Sequence, residues 1–393
     1  MLPSGQAVRT GQKCVVVIGH DAYRAGSQMC LLHVLRWLVG NYPANFSLLL
    51  KRGGDLLDAY AGVLPTRVVP AGDGHTRSRS IAQRVAHRLL RTRPRPVATS
   101  EPVDLIYANS VPSLDIGLEL AAERRCPLIC HIHELDLAIH RFFSFERFRE
   151  IQQRVDAFIA ASQLVATNLV ENHGVERGRI QQVYEAIAYP ILRLEPRAVA
   201  EMRQTMGIPP DAFVVGGCGT MDLRKAPEVF IQIARSLSET VLPRPVHFVW
   251  VGGQTAGWER EVLDHDVARM GLGRVVHFVG PQAEPARHFS LFDVFLLTSR
   301  EDPFPLVCLE AAALGIPTIC FADAGGMPEF VGDDAGFVVP YLDIARASDC
   351  VRFLMKSEDL RLRLGRCAAE RVKKHDVAVI GPQIATVVDK YLR

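Results

Sequence analysis

No apolar run in this chain reaches the ~18 residues that a membrane-spanning helix requires. The opening segment, MLPSGQAVRTGQK, lacks the apolar core of a secretory signal. A cytoplasmic protein is therefore expected, with any membrane contact peripheral. An excess of charge is also missing: 45 Lys and Arg face 43 Asp and Glu, a net +2. The chain as a whole has no electrostatic footprint for nucleic acid, and no nucleic-acid partner is expected. The nine cysteines form no CxxC pair and no Cys/His cluster of zinc-finger spacing. Reduced, buried thiols are expected instead. No HExxH occurs, and no DxD stands in a loop suited to metal binding, so neither a metal ion nor a cofactor is expected.

What is present is ordinary globular material, 48% apolar and 22% charged over 393 residues. That length suits two domains. Short apolar runs rich in β-branched residues alternate with longer stretches of helical period. In the first half strands are expected at 13–19, 46–50, 66–70, 104–108, 127–132 and 156–161, with a long helix over 26–40. The cycle restarts near residue 212, with strands at 212–218, 246–252, 275–280, 293–298, 317–321 and 336–339. Helices are expected near 226–240, 257–271, 305–315, 343–355 and 357–375. Near-continuous apolar strands separated by helices indicate parallel sheets covered on both faces. The fold class is therefore α/β, with two Rossmann-like domains facing a cleft. Residues 1–190 form the first domain and 191–376 the second, and the helix at 377–393 crosses back to the first. A proline-rich hinge is expected over 188–211.

Residues 297–315, LTSREDPFPLVCLEAAALG, carry most of the chemistry. A strand ends near Thr298, and a helix begins near Pro305, which suits a first turn because it has no N–H to leave unpaired. The helix is apolar on nearly every face and so buried, which makes Glu310 costly unless something pairs with it. Asp302 stands before the helix start, and Glu310 lies about one and a half turns inside it. The free N–H groups between them suit a phosphate. On spacing alone, two readings stand side by side. Either Asp302 caps the helix and Glu310 meets a structural arginine, or the two carboxylates hold the hydroxyls of one ligand whose diphosphate rests between them.

This segment resembles the E-x7-E motif of retaining GT-B glycosyltransferases, in particular glycosyltransferase family 4. The likeness continues through GPQAEPARHFSLFDVFLLTS (280–299), AGGMPEFV (324–331) and GFVVP (336–340). It is strong over most of 212–375 and weaker over 13–187. Asp302 occupies a position where Glu is common, one methylene shorter. The resemblance implies donor-sugar contact by Asp302, ribose contact by Glu310, and diphosphate contact by the backbone at Phe304, Pro305, Leu306 and Val307. It implies a donor-phosphate lysine at Lys225 in the loop GGCGTMDLRKAPE (216–228). Thr220 stands near a place where the family often has Arg, and Arg224 is a candidate to compensate. As solvated loop charges, Lys225 and Arg224 would need no such role.

The resemblance also implies that His133, in PLICHIHEL (127–135), lies near the donor sugar. His131 is read as structural, and the two rings are expected to face opposite ways. In GHDAYRAGSQ (19–28), Gly26 allows close backbone approach where the family has a glycine-rich loop near phosphate and acceptor. His20 and Asp21 are candidates to touch acceptor or to cap the helix. Seven arginines and no acidic residue fall within 74–100, read as a solvated face or as a contact with anionic lipid.

The activity implied is metal-independent transfer of a hexose-type sugar, with retention, from a nucleotide-diphosphate sugar to a glycan or lipid-linked acceptor. Domain closure would exclude water. Two alternatives stay open: a nucleotide-sugar epimerase on the same fold, and a nucleotide-sugar-binding module without catalysis.

Overall fold

The computed structural model describes residues 11–69 and 102–392. The arginine-rich stretch over 74–100 lies outside them. The first sheet has seven strands: β1 (Cys14–Gly19), β2 (Asn45–Leu50), β3 (Thr66–Val68), β4 (Leu105–Asn109), β5 (Leu128–Ile132), β6 (Ala157–Ala160) and β7 (Ile180–Gln182). Their order is β3-β2-β1-β4-β5-β6-β7, and every neighbouring pair is parallel. The central strands are wholly buried, as the apolar runs LIYAN and LICHI require when helices cover both faces. β7, sequence IQQ, was not expected. A three-residue, half-polar edge strand has no periodic pattern to betray it.

The second sheet joins β8 (Phe213–Cys218), β9 (Val246–Val251), β10 (Val276–Gly280), β11 (Val294–Leu297), β12 (Thr318–Phe321) and β13 (Gly336–Val339) in the order β10-β9-β8-β11-β12-β13. All six fall on expected runs. In both sheets the strand order reverses once, between β1 and β4 and between β8 and β11. Ligands of open α/β sheets bind beyond the carboxyl ends of strands at such switch points. The loops that follow β1, β4, β8 and β11 are therefore the ones to inspect.

The first long helix is Gly26–Asn41. The C-terminal helix Val377–Tyr391 returns to pack on it, with Gly381 where a Cβ would come within 2.3 Å of Trp37 and with Tyr42 donating to Asp389 at 3.0 Å. The 188–211 segment is not all linker. It contains a helix, Pro196–Thr205, whose first position takes the proline for the reason given above. Among the described residues no helix is long and apolar enough to cross a membrane.

Candidate functional site

The helix over 305–315 begins at Leu306 and ends at Ala313, with Pro305 in extended backbone as its N-cap. Proline offers no side-chain acceptor, and no side chain caps this end. Cys308 N–H reaches back to Pro305 O at 3.1 Å, whereas the N–H groups of Leu306 and Val307 have no carbonyl of the helix to reach. Leu306, Cys308, Leu309, Ala311 and Ala312 are buried, which is why so apolar a sequence is helical here. Glu310 rides on the same helix, and its Oε2 is buried without any hydrogen-bond partner. Burial pushes this carboxyl up to about 7, and the Arg24 guanidinium opposes the rise. Arg24 precedes the first helix, which lies against the Leu306–Ala313 helix across the cleft. The structural arginine envisaged for Glu310 is thus near, but among the described residues it forms no ion pair with it.

Asp302 is gripped by its backbone and by its side chain. Its N–H donates to Ala324 O at 2.7 Å, and its carbonyl accepts from Gly326 N–H at 3.3 Å. Gly325 faces it at φ +153°, where a Cβ would lie 1.7 Å from Asp302 O, so this position must be glycine. The Asp302 carboxylate accepts from Lys225 Nζ and, at 3.1 Å, from Ser299 Oγ, while Arg224 stands 3.8 Å away. It does not cap the helix. Lys225 is placed by a turn in which Asp222 accepts its N–H at 2.9 Å and Thr298 donates to its carbonyl at 3.0 Å. Arg224 donates to Glu301 O at 2.9 Å, so neither cation is a loose loop charge. Thr220 is occupied locally, donating to Asp222 at 2.8 Å.

The Phe304 side chain is buried against Tyr184 and stacked on His375, with centroids 5.0 and 5.2 Å apart, as part of the seam between the domains.

On the first-domain side, His133 Nδ1 lies 2.5 Å from Glu185 Oε1, and Nε2 lies 2.9 Å from Asn109 Oδ1. The Asn109 amide nitrogen donates to Ser27 O at 3.3 Å, which fixes its oxygen toward His133. Each ring nitrogen of His133 thus faces an acceptor oxygen. Burial would lower its pKa, but the Glu185 carboxylate outweighs that and holds it above the ordinary value. His131 does not face the opposite way. The two rings lie 4.0 Å apart, because residues two apart on a strand share a face. Burial holds His131 well below its usual range, and its Nδ1 pairs with the Tyr107 hydroxyl at 2.7 Å, which fits the structural role expected for it.

Gly26 opens the first helix, and a Cβ there would meet nothing within 4 Å. The space beside it is open rather than filled by protein. Asp21 does not cap that helix but ties Gln28 (2.7 Å) and Arg52 (3.1 Å), with His20 at 3.3 Å.

The structure thus gathers Lys225, Arg224 and Asp302 in one cluster, and places Glu310 and the open helix end at Pro305–Val307 beside the Arg24–Gly26 turn. His133 joins that turn through Asn109 and Ser27. Glu185, Glu301 and Glu329 also shape the cleft and were not anticipated. One signal existed for Glu301: Leu135, which precedes a helix, cannot cap it. Among the described residues no three His, Cys, Asp or Glu side chains gather as a metal site.

Two family models match the chain: one described as Glycosyl transferases group 1 over residues 199–371, and Glycosyltransferase Family 4 over residues 45–188. A D-inositol 3-phosphate glycosyltransferase of Streptomyces avermitilis is 32% identical over 232 residues, 57% of this chain and 49% of that protein. The protein of the same name from Saccharomonospora viridis is 29% identical over 302 residues, 71% of this chain and 69% of that one. The chain thus spans about half the length of the first of these relatives. Among solved structures, Anabaena HepE in complex with UDP and glucose superposes with TM-score 0.79 at 22% identity, covering 96% of this chain and 99% of that one. Sucrose-phosphate synthase from Thermosynechococcus elongatus superposes with TM-score 0.76 at 19% identity, covering 96% and 99%. At these identities the likeness speaks for the fold.

Proposed function

We propose that this chain, a glycosyltransferase by the two family models that match it, transfers a hexose-type sugar, with retention and without a metal ion, from a nucleotide-diphosphate sugar to a glycan or sugar-phosphate acceptor. A lipid-linked acceptor is included in the proposal. The observation that carries it is Glu310: a half-buried residue with one carboxylate oxygen buried and unpartnered, beside an uncapped helix end, with a second carboxylate eight positions earlier. Such an oxygen is costly in the empty protein. Ligand hydroxyls would relieve that cost.

In this reading the donor lies mainly on the second domain, residues 191–376. The ribose hydroxyls donate to Glu310. The diphosphate rests on the backbone N–H groups at Leu306 and Val307, beyond Phe304 and Pro305, at the positive end of the helix. Lys225, with Arg224 behind it, offsets charge on the leaving phosphate. Asp302 accepts from a sugar hydroxyl, and its pairing with Lys225 couples sugar position to phosphate position. His133 approaches the sugar from the first domain. The acceptor enters beside Gly26. The bond from the anomeric carbon to the phosphate oxygen breaks, and a bond to the acceptor oxygen forms on the same face. The acceptor proton passes to the departing phosphate. Cations and a helix end supply the stabilisation that a metal would otherwise give.

Glu310 also speaks against a purely structural role for this helix, since an unpaired buried acceptor lacks a donor that a ligand hydroxyl would supply. A thermal-shift panel of UDP- and GDP-sugars tests the proposal. One nucleotide series should raise the melting temperature of the wild type and leave Glu310→Ala unmoved. No shift with any nucleotide sugar would overturn it.

A further inference from the structure

We propose that Glu301 and Glu329 are positioning residues: two carboxylate clamps flanking Asp302 that join the second domain to the first and set Asp302 in place when the cleft is closed. The kinetic consequence rests on the glycosyl transfer proposed above, whereas the structural one stands without it.

The helix Asp136–Phe142 of the first domain follows Leu135, which has no capping acceptor. Its first-turn donors are satisfied from across the cleft. Leu137 N–H donates to Glu301 Oε2 at 2.8 Å, and Ala138 N–H to Oε1 at 3.1 Å. The arrangement is repeated at the helix Gln163–Glu171. There Ser162 caps Val165 N–H, and Gln163 and Leu164 N–H donate to the Glu329 carboxylate at 3.0 and 2.8 Å. Tyr184 adds its hydroxyl to Glu329 at 3.0 Å. Four backbone donors of one domain therefore end on two carboxylates of the other. The domains meet closely at this point, since a Cβ on Gly326 would come within 2.7 Å of the Ser162 Cβ.

Both clamps are wired to Asp302. Glu301 precedes it, and the Glu301 carbonyl accepts from Arg224 at 2.9 Å. Asp302 pairs through its backbone with Ala324 and Gly326, and Glu329 N–H donates to Gly326 O at 3.0 Å. Opening the cleft would pull on this strip from both sides. The clamps are also suited to release. Their partners are helix ends, which water can solvate when the domains part, so opening leaves no buried unpaired charge. Burial raises the Glu301 carboxyl, and the two N–H bonds lower it without cancelling that rise.

The test uses the full chain as wild type, Glu301→Gln, Glu329→Gln and the double variant. Small-angle scattering gives the radius of gyration with and without UDP, and turnover of the nucleotide sugar found by the panel gives kcat and donor KM. The double variant should scatter as a more open particle than the wild type, and each single variant should lose about ten-fold in kcat. UDP affinity should stay within about two-fold, because the donor contacts on the second domain are intact. An unchanged radius with unchanged kcat overturns the proposal, as does a kcat loss matched by an equal loss of UDP affinity. If the glutamine variants fail to fold, Tyr184→Phe removes one clamp bond and keeps both carboxylates. It should lower kcat about three-fold with UDP affinity unchanged, and full kcat would overturn the proposal. A double variant that opens, in a protein that turns over no nucleotide sugar, keeps the clamps and removes the transfer reading. A compact double variant with wild-type turnover does the reverse.

Discussion

Replacing Glu310 by Gln should make the empty protein more stable while disabling it. One buried oxygen of Glu310 has no partner, and burial pushes the carboxyl from 4.5 up to about 7. An acid whose folded pKa exceeds its unfolded value binds protons more tightly when folded. Its contribution is therefore most favourable below the unfolded pKa and is eroded as pH rises toward the folded one. Between 4.5 and about 7, the difference at about 1.4 kcal/mol per pH unit comes to about 3 kcal/mol. Glutamine keeps the shape and has no charge to bury. Thermal unfolding at pH 5 and pH 8 is the assay. The variant should match the wild type at pH 5 and exceed it at pH 8 by about 3 kcal/mol, or roughly 6 °C or more for domains of this size. The nucleotide series that stabilises the wild type should leave the variant unmoved. Equal melting temperatures at pH 8, or a less stable variant, would refute the reasoning by showing that the carboxylate is paired.

Other consequences follow from the same geometry. Lys225→Ala should cost roughly 2–4 kcal/mol of transition-state stabilisation, read as a 30- to 1000-fold loss of kcat in a transfer assay. Donor binding should weaken as pH falls below about 7, because Glu310 must be ionised to accept ribose hydroxyls, and a titration of UDP affinity against pH should lose this slope in Glu310→Gln. The His133 pKa is raised in the folded protein, so the stability from its pair with Glu185 is fully present below the unfolded value near 6.5 and declines as pH rises through the folded one. Glu185→Gln should flatten that decline in denaturant melts, and NMR of the ring should show an earlier titration. Gly325→Ala places a Cβ against Asp302 O in left-handed backbone and should lower stability by about 2–4 kcal/mol in urea unfolding.

Much of the fold could be read in advance because its strands are buried on both faces and written as unbroken apolar runs. β7 escaped because IQQ carries no such run. The helix Pro196–Thr205 was taken for hinge because its proline was read as a breaker, although at a first helical position proline starts a helix. The need of Glu310 for a partner was legible because a charge inside an apolar helix is conspicuous, whereas the roles of Asp302 and Lys225 were implied by the family resemblance. The direction of His131 was misjudged by neglecting the two-residue period of a strand. Glu329 and Glu185 left no signal in the sequence, and the uncapped Leu135 signalled a missing acceptor without identifying Glu301. Each acts on groups 52 to 166 positions away, brought near only by the docking of two sheets, and no local pattern records that.

The most direct measurement is the release of nucleoside diphosphate from a panel of UDP- and GDP-sugars in the presence of a metal chelator and candidate acceptors, comparing the wild type with Asp302→Ala. The account predicts that the wild type consumes one donor with chelator present and that the variant is slower by at least about a hundred-fold. Consumption of no donor, or equal rates in the two proteins, would contradict it.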